Sequence, residues 1–228
     1  MITPIQLVVF DMAGTTVAGH HEVHHCLQQA LAHEGYEITY DEANAVMGYP
    51  KPVAIRQLIE QHGAAEATAG YVDQIHQDFV QRMVDHYANG EEVSEKEGVQ
   101  HTWEGLRKHG IRIALDTGFS RPIADAIIRR LHWAKCIDVS VTSDEVERGR
   151  PHPDMVFRAM ERTGVSDARA VMKVGDTASD LQQGTAAGCA WVVGVTTGAY
   201  SAEELQREPH THLIEQLPEL LSILEIKN

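Results

Sequence analysis

Short apolar runs alternate with amphipathic stretches over most of this chain. Residues 5–10, 111–115, 137–141, 170–174 and 190–195 are mainly apolar runs of strand length that read as strands buried on both sides. Between them, residues 122–131, 153–163 and 178–187 have helical spacing. Such alternation predicts right-handed crossovers and a parallel sheet. Gly110, Gly164 and Gly188 stand where a helix should stop before the next strand. A short strand at 211–214 and a helix at 218–226 would close the unit.

Residues 16–98 break this rhythm, with helical patterns and no convincing strand. Val72, Ile75, Phe79, Met83 and Tyr87 recur at three- and four-residue steps, and Val23, Leu27, Ala30 and Leu31 form a similar face. Asp41 is expected to cap a short helix ending at Gly48, and Pro52 to lie in the first turn of the next, which runs to His62. The expected fold class is α/β. It comprises a Rossmann-like parallel sheet core (residues 1–16 and 98–228) and an inserted helical cap domain (17–97). The Glu-rich stretch 90–98 reads as the return linker.

Composition narrows the function. The 228 residues are 43% apolar with a net charge of -14 at pH 7, which argues against nucleic acid as a partner. An anionic ligand would need locally concentrated cations or a metal ion. Cys26, Cys136 and Cys189 are widely spaced and odd in number, as expected of reduced thiols in the cytoplasm. No apolar run has membrane-spanning length and no secretion signal is evident.

Four segments carry candidate chemistry, and the topology would bring them to one sheet edge. Asp11 ends the first strand. Asp116-Thr117-Gly118 follows the second, Arg148-Gly149-Arg150-Pro151 lies beyond the third, and Gly175-Asp176-Thr177-Ala178-Ser179-Asp180 follows the fourth. A carboxylate, a hydroxyl, a cation and an acidic pair suit phosphoryl transfer. Asp11 and Asp176 can hold a hard cation such as Mg²⁺ through oxygens. Thr117 and Arg150 can hold phosphoryl oxygens while Asp11 attacks phosphorus.

This order resembles the haloacid dehalogenase superfamily, and within it the phosphonatase (phosphonoacetaldehyde hydrolase) branch. The segments carrying the resemblance are Asp11-Met12-Ala13-Gly14-Thr15-Thr16, Met47-Gly48-Tyr49-Pro50-Lys51, Gly149-Arg150-Pro151 and Lys173-Val174-Gly175-Asp176 through Asp180. The resemblance implies hydrolytic C–P cleavage of a small phosphonate and a homodimer through the caps. It also implies Mg²⁺ on Asp11, the Ala13 carbonyl and Asp176, with Asp180 in support. The branch's Schiff-base lysine falls on Lys51. Gly14, Thr15, Met47, Gly48, Gly118 and His21 are then expected around the substrate.

Ala13 stands where phosphatases of this superfamily keep an acid that protonates an alkoxide leaving group. A carbanion leaving group needs an electron sink instead, which a lysine imine provides. The chain departs from the branch at Ala54, His21 and Phe119, where phosphonatases carry histidine, cysteine and tyrosine, which favours a related phosphonate, such as a substituted 2-oxoalkylphosphonate, over phosphonoacetaldehyde itself. Rival readings are a Mg²⁺-dependent phosphomonoesterase or phosphomutase and a non-catalytic phosphate-binding module. The histidines at 20, 21, 24 and 25 are expected to be incidental surface residues, one of which faces the substrate. Arg148 is expected to be a solvated charge.

Overall fold

In the computed structural model the described residues are 4–19, 21–47, 49–63, 67–90 and 93–226. The strands are β1 (Leu7–Asp11), β2 (Arg112–Thr117), β3 (Val139–Thr142), β4 (Val171–Gly175), β5 (Trp191–Val195) and β6 (His212–Ile214). They form one six-stranded sheet in the order β3-β2-β1-β4-β5-β6, and every pairing is parallel. The apolar runs form strands because both sheet faces are covered. Val8 and Phe10 enter one core cluster and Leu7 and Val9 the other, as a side-chain period of two requires.

Between β1 and β2 lie α1 (His21–His33), α2 (Tyr40–Ala45), α3 (Lys51–Gln61) and α4 (Ala69–Asn89). The α4 stripe Val72, Ile75, Phe79, Met83 and Tyr87 is buried, as its spacing predicts. Further along, α5 (Val99–Lys108) and α6 (Arg121–Arg130) cover one face of the sheet through Trp103, Leu106, Ile123 and Ile127. On the other face, α7 (Asp154–Thr163) contributes Met155, Val156 and Ala159. α8 (Ala178–Ala187) packs against β4 and β5. Gly164 and Gly188 end α7 and α8 in the left-handed region, at φ 73° and 74°. The helix that Gly110 stops is α5. α9 (Ala202–Leu205) is a single turn, and α10 (Glu219–Ile223) is shorter than the expected 218–226.

One expected cap is corrected. Thr39, not Asp41, starts α2, through a reciprocal box in which Thr39 and Glu42 each bond the other's backbone N–H, and the helix ends at Ala45 rather than Gly48. A Thr-x-x-Glu box satisfies two helix-end donors where a lone aspartate satisfies one. The chain leaves and re-enters the sheet region through paired segments. The Ala18 N–H donates to the Ser94 carbonyl at 3.0 Å, and the Lys96 N–H to the Thr16 carbonyl at 2.9 Å. No helix among the described residues is long and apolar enough to cross a membrane. Cys26, Cys136 and Cys189 are all free thiols.

Candidate active site

Strand order turns at β1, whose neighbours are β2 and β4, and open α/β sheets bind ligands in the crevice such a turn creates. Asp11 ends β1 directly opposite Asp116 in β2. Thr117 closes β2, and Asp176 follows β4. Topology therefore collects these side chains without help from loops.

Arg150 is the hub. Only 3% exposed, its Nη2 lies 2.7 Å from Asp11 Oδ1 and 2.5 Å from Asp116 Oδ1, and its Nη1 3.0 Å from Asp180 Oδ1. Arg148, expected to be solvated, is exposed and pairs with Asp154 at 3.1 Å. Thr117 Oγ1 accepts a bond from the Phe119 N–H at 3.1 Å, leaving its hydroxyl proton for an acceptor in the crevice.

Asp176 is gripped on both oxygens. The Thr15 hydroxyl donates to Oδ1 at 2.9 Å and the Ala199 N–H to Oδ2 at 2.6 Å. Gly14 (φ +85°) and Gly198 press against the same carboxylate, and a Cβ at either would overlap it. Gly14 and Thr15, expected beside the substrate, thus hold Asp176 and do not line the cavity described next. Thr15 has no exposed surface to offer a ligand.

Lys51 is the first residue of α3. Flanking prolines suggest a surface position, yet it is only 3% exposed. The cause is the close seating of the helical insert on the sheet edge, where the Pro50 ring fills the space a side chain at Gly149 would take. Lys51 lines a cavity of about 40 Å³ together with Asp11, Thr117 and Arg150 and the apolar Val23, Met47 and Phe119. Its Nζ is 3.9 Å from Met47 Sδ. Burial, reinforced by Arg150 and opposed by Asp11, lowers its pKa to about 8. Ala13 and Gly118 also line this cavity. Gly48, His20 and the side chain of His21 lie outside the described residues. His24, expected at the surface, is instead buried, bonded to Asn44 Oδ1 at 3.0 Å and stacked on Tyr40; it serves packing between α1 and α2.

The donor set fits a divalent cation. Asp11, Asp176 and Asp180 each offer an oxygen, and these oxygens all lie within 4.8 Å of one another. Burial, against the pull of Arg150, pushes Asp11 up to about 8. Burial and the neighbouring Asp180 push Asp176 up to about 6. Burial is the main cause of both shifts, and crowding by neighbouring carboxylates adds to it. Four buried carboxylates (Asp11, Asp116, Asp176, Asp180) crowd around the ion-paired cations Arg150 and Lys173, with Lys96 acting on Asp176 from farther off, so with Lys51 neutral the ionised cluster carries an excess of negative charge. A hard dication such as Mg²⁺ balances that excess through oxygen donors. Asp180 already meets both Arg150 and Lys173, which leaves Asp11 and Asp176 as the better ligands.

Asp116 and Lys173 stand in segments the sequence singles out, but the sequence assigns neither a role. Lys173, fully buried in β4, lies 2.6 Å from Asp116 Oδ1 and 2.9 Å from Asp180 Oδ1. It thereby braces the two carboxylates that fix Arg150. A signal was available, since a lysine within a strand buried on both faces must find a partner. Lys173→Met leaves Arg150 as the cation paired with both carboxylates, and removing one partner from a buried ion pair costs about 3–5 kcal/mol. A urea denaturation midpoint lowered accordingly is the expected result.

Fold and site together describe a hydrolase built on a strand-end aspartate, and the comparisons agree. The family model for haloacid dehalogenase-like hydrolases matches residues 8–194, and the chain belongs to that family, in its phosphonatase-like branch. A phosphonoacetaldehyde hydrolase from Bacillus cereus (strain AH187) is 32% identical over 209 residues, covering 86% of this chain and 77% of the relative. Among solved structures, a phosphonoacetaldehyde hydrolase-like protein from Oleispira antarctica superposes with TM-score 0.85 at 21% identity, covering 98% of this chain and 92% of that one. CbbY from Rhodobacter sphaeroides, solved with phosphate, gives TM-score 0.81 at 20% identity, covering 97% and 99%. At these identities the two structures speak for the fold alone.

Proposed function

We propose that the protein hydrolyses the C–P bond of a small 2-oxoalkylphosphonate, phosphonoacetaldehyde or a close relative. The observation that carries this reading is a buried lysine of lowered pKa sharing a small cavity with Asp11, in a chain with alanine at position 13. An acid at that position would serve an alkoxide leaving group; an amine near the nucleophile serves a carbon one.

In this mechanism the neutral Lys51 amine adds to the substrate carbonyl, and the adduct takes up a proton from solvent and expels water, giving a protonated imine. Asp11 attacks phosphorus, and the C–P bonding electrons flow into the iminium, so the carbon fragment leaves as a neutral enamine. Protonation of the enamine carbon and hydrolysis of the resulting imine free the aldehyde or ketone and restore Lys51. Water then cleaves the aspartyl phosphate to inorganic phosphate. Thr117 and Arg150 hold the phosphoryl oxygens. Mg²⁺ on Asp11, the Ala13 carbonyl and Asp176 would supply further positive charge there. Met47 and Phe119 face the carbon end, and the seated insert limits entry of bulk water that would hydrolyse the imine early. The resemblance extends this reading to a dimer joined through the caps, which light scattering would test.

A pH dependence follows. Lys51 must be unprotonated to add to the carbonyl, and its pKa is lowered to about 8. Below that value the amine is charged and inactive. In saturating Mg²⁺, kcat/KM should rise about tenfold per pH unit below about 8 and level above it. A profile flat from pH 6 to about 9 would contradict an amine nucleophile of this pKa.

A panel of 2-oxoalkylphosphonates and phosphate esters, incubated with Mg²⁺ and scored for inorganic phosphate, tests the assignment. Release from phosphonates that requires Lys51 supports it. Ester turnover that survives Lys51→Ala would favour the phosphomonoesterase reading. Phosphate binding without turnover of any member would favour the non-catalytic module.

A further inference from the structure

We infer that Lys96, on the segment returning from the helical insert, is a positioning residue for the metal carboxylate Asp176, so that metal affinity depends on how the insert's hinge is seated. The inference rests on the reading of Asp176 as a metal ligand.

Both oxygens of Asp176 are held by groups tied to the hinge. On one side, Oδ1 accepts from the Thr15 hydroxyl. Thr15 immediately precedes the outgoing segment, in which Thr16 and Ala18 pair with Lys96 and Ser94 and Val17 bridges Glu95. On the other side, Oδ2 accepts from the Ala199 N–H, in the loop after β5. Lys96 fixes that loop. Its Nζ donates to the Thr197 carbonyl at 2.9 Å and to the Thr197 hydroxyl oxygen at 3.0 Å. The same hydroxyl donates to the Glu215 carbonyl at 3.0 Å, beside the end of β6.

Gly198, between Thr197 and Ala199, sits so tightly on Asp176 that no Cβ would fit, and Gly14 is packed as tightly against the same carboxylate. A loop in such contact cannot shift without moving the carboxylate. Lys96 donates its hydrogen bonds to Thr197, while its charge acts on Asp176 from farther off. Holding a long, flexible side chain there costs rotamer entropy, and what it fixes is the loop. The return hinge, the loop after β5 and the metal carboxylate therefore form one mechanical chain. Its thermodynamic consequence is reciprocal: seating the insert favours the metal, and the metal favours the seated insert.

Calorimetric titration of the full chain with Mg²⁺, without substrate, tests this in wild type, Lys96→Met, Lys96→Arg and Asp176→Asn. Groups that orient metal ligands typically change metal affinity about 10- to 100-fold when removed. Lys96→Met should weaken Mg²⁺ binding about tenfold or more while leaving the melting temperature of the metal-free protein close to wild type, and Lys96→Arg should recover part of the affinity. Wild-type affinity in Lys96→Met would overturn the inference. So would a loss of melting temperature shared by the Met and Arg variants with no recovery in Arg, which assigns Lys96 to folding. A wild-type binding heat that survives Asp176→Asn would remove the metal reading itself, and this inference with it.

Discussion

Lys51→Ala should lower kcat/KM for 2-oxoalkylphosphonates by about 10³-fold or more, the scale on which removal of a covalent catalytic group is felt. The physical reason lies in the leaving group. Without the imine, C–P cleavage must expel a bare carbanion, and Ala13 offers no proton at that position. Lys51→Arg should not rescue, because a guanidinium stays protonated and cannot condense with a carbonyl. Stability should change little, since the substitution removes an amine whose burial disfavours its charged form. Steady-state release of inorganic phosphate, read beside a melting curve, separates loss of chemistry from loss of fold.

Asp11→Asn should be still more severe, lowering turnover about 10⁴-fold or more. The substitution keeps size and removes the oxygen nucleophile. It also removes one of the carboxylates in an overcrowded group, so the folded protein should tolerate it: Arg150 retains Asp116 and Asp180. The two variants are distinguishable by what survives. Asp11→Asn leaves Lys51 competent to condense with a carbonyl compound, whereas Lys51→Ala leaves Asp11 beside its cation and condensation is lost. Mass spectrometry of each variant after borohydride and substrate would show the difference.

Much of this site was legible along the chain because it sits at strand ends. Asp11, Thr117 and Asp176 follow apolar runs, and a parallel sheet gathers such positions whatever its details. The stripe on α4 was legible for a similar reason, since its period alone specifies the buried face. The burial of Lys51 was not. It arises from Pro50 lying against Gly149, a contact between segments about a hundred residues apart that no local pattern encodes. Asp116 and Lys173 were hidden differently: read as strand and strand-end residues, they gave no hint that they meet each other across β1. His24 and Thr39 show the same limit at short range, where a bond to Asn44 and a box with Glu42 decided between surface and packed, and between one cap and another.

The most direct measurement is reductive trapping at Lys51. Protein, Mg²⁺ and a 2-oxoalkylphosphonate are treated with borohydride, and the digested chain is mapped by mass spectrometry. The expected result is a substrate-derived alkyl group on the Lys51 peptide, absent when the carbonyl compound is omitted, with activity lost in proportion. Continued phosphate release from the same phosphonate while Lys51 stays unmodified would contradict the mechanism.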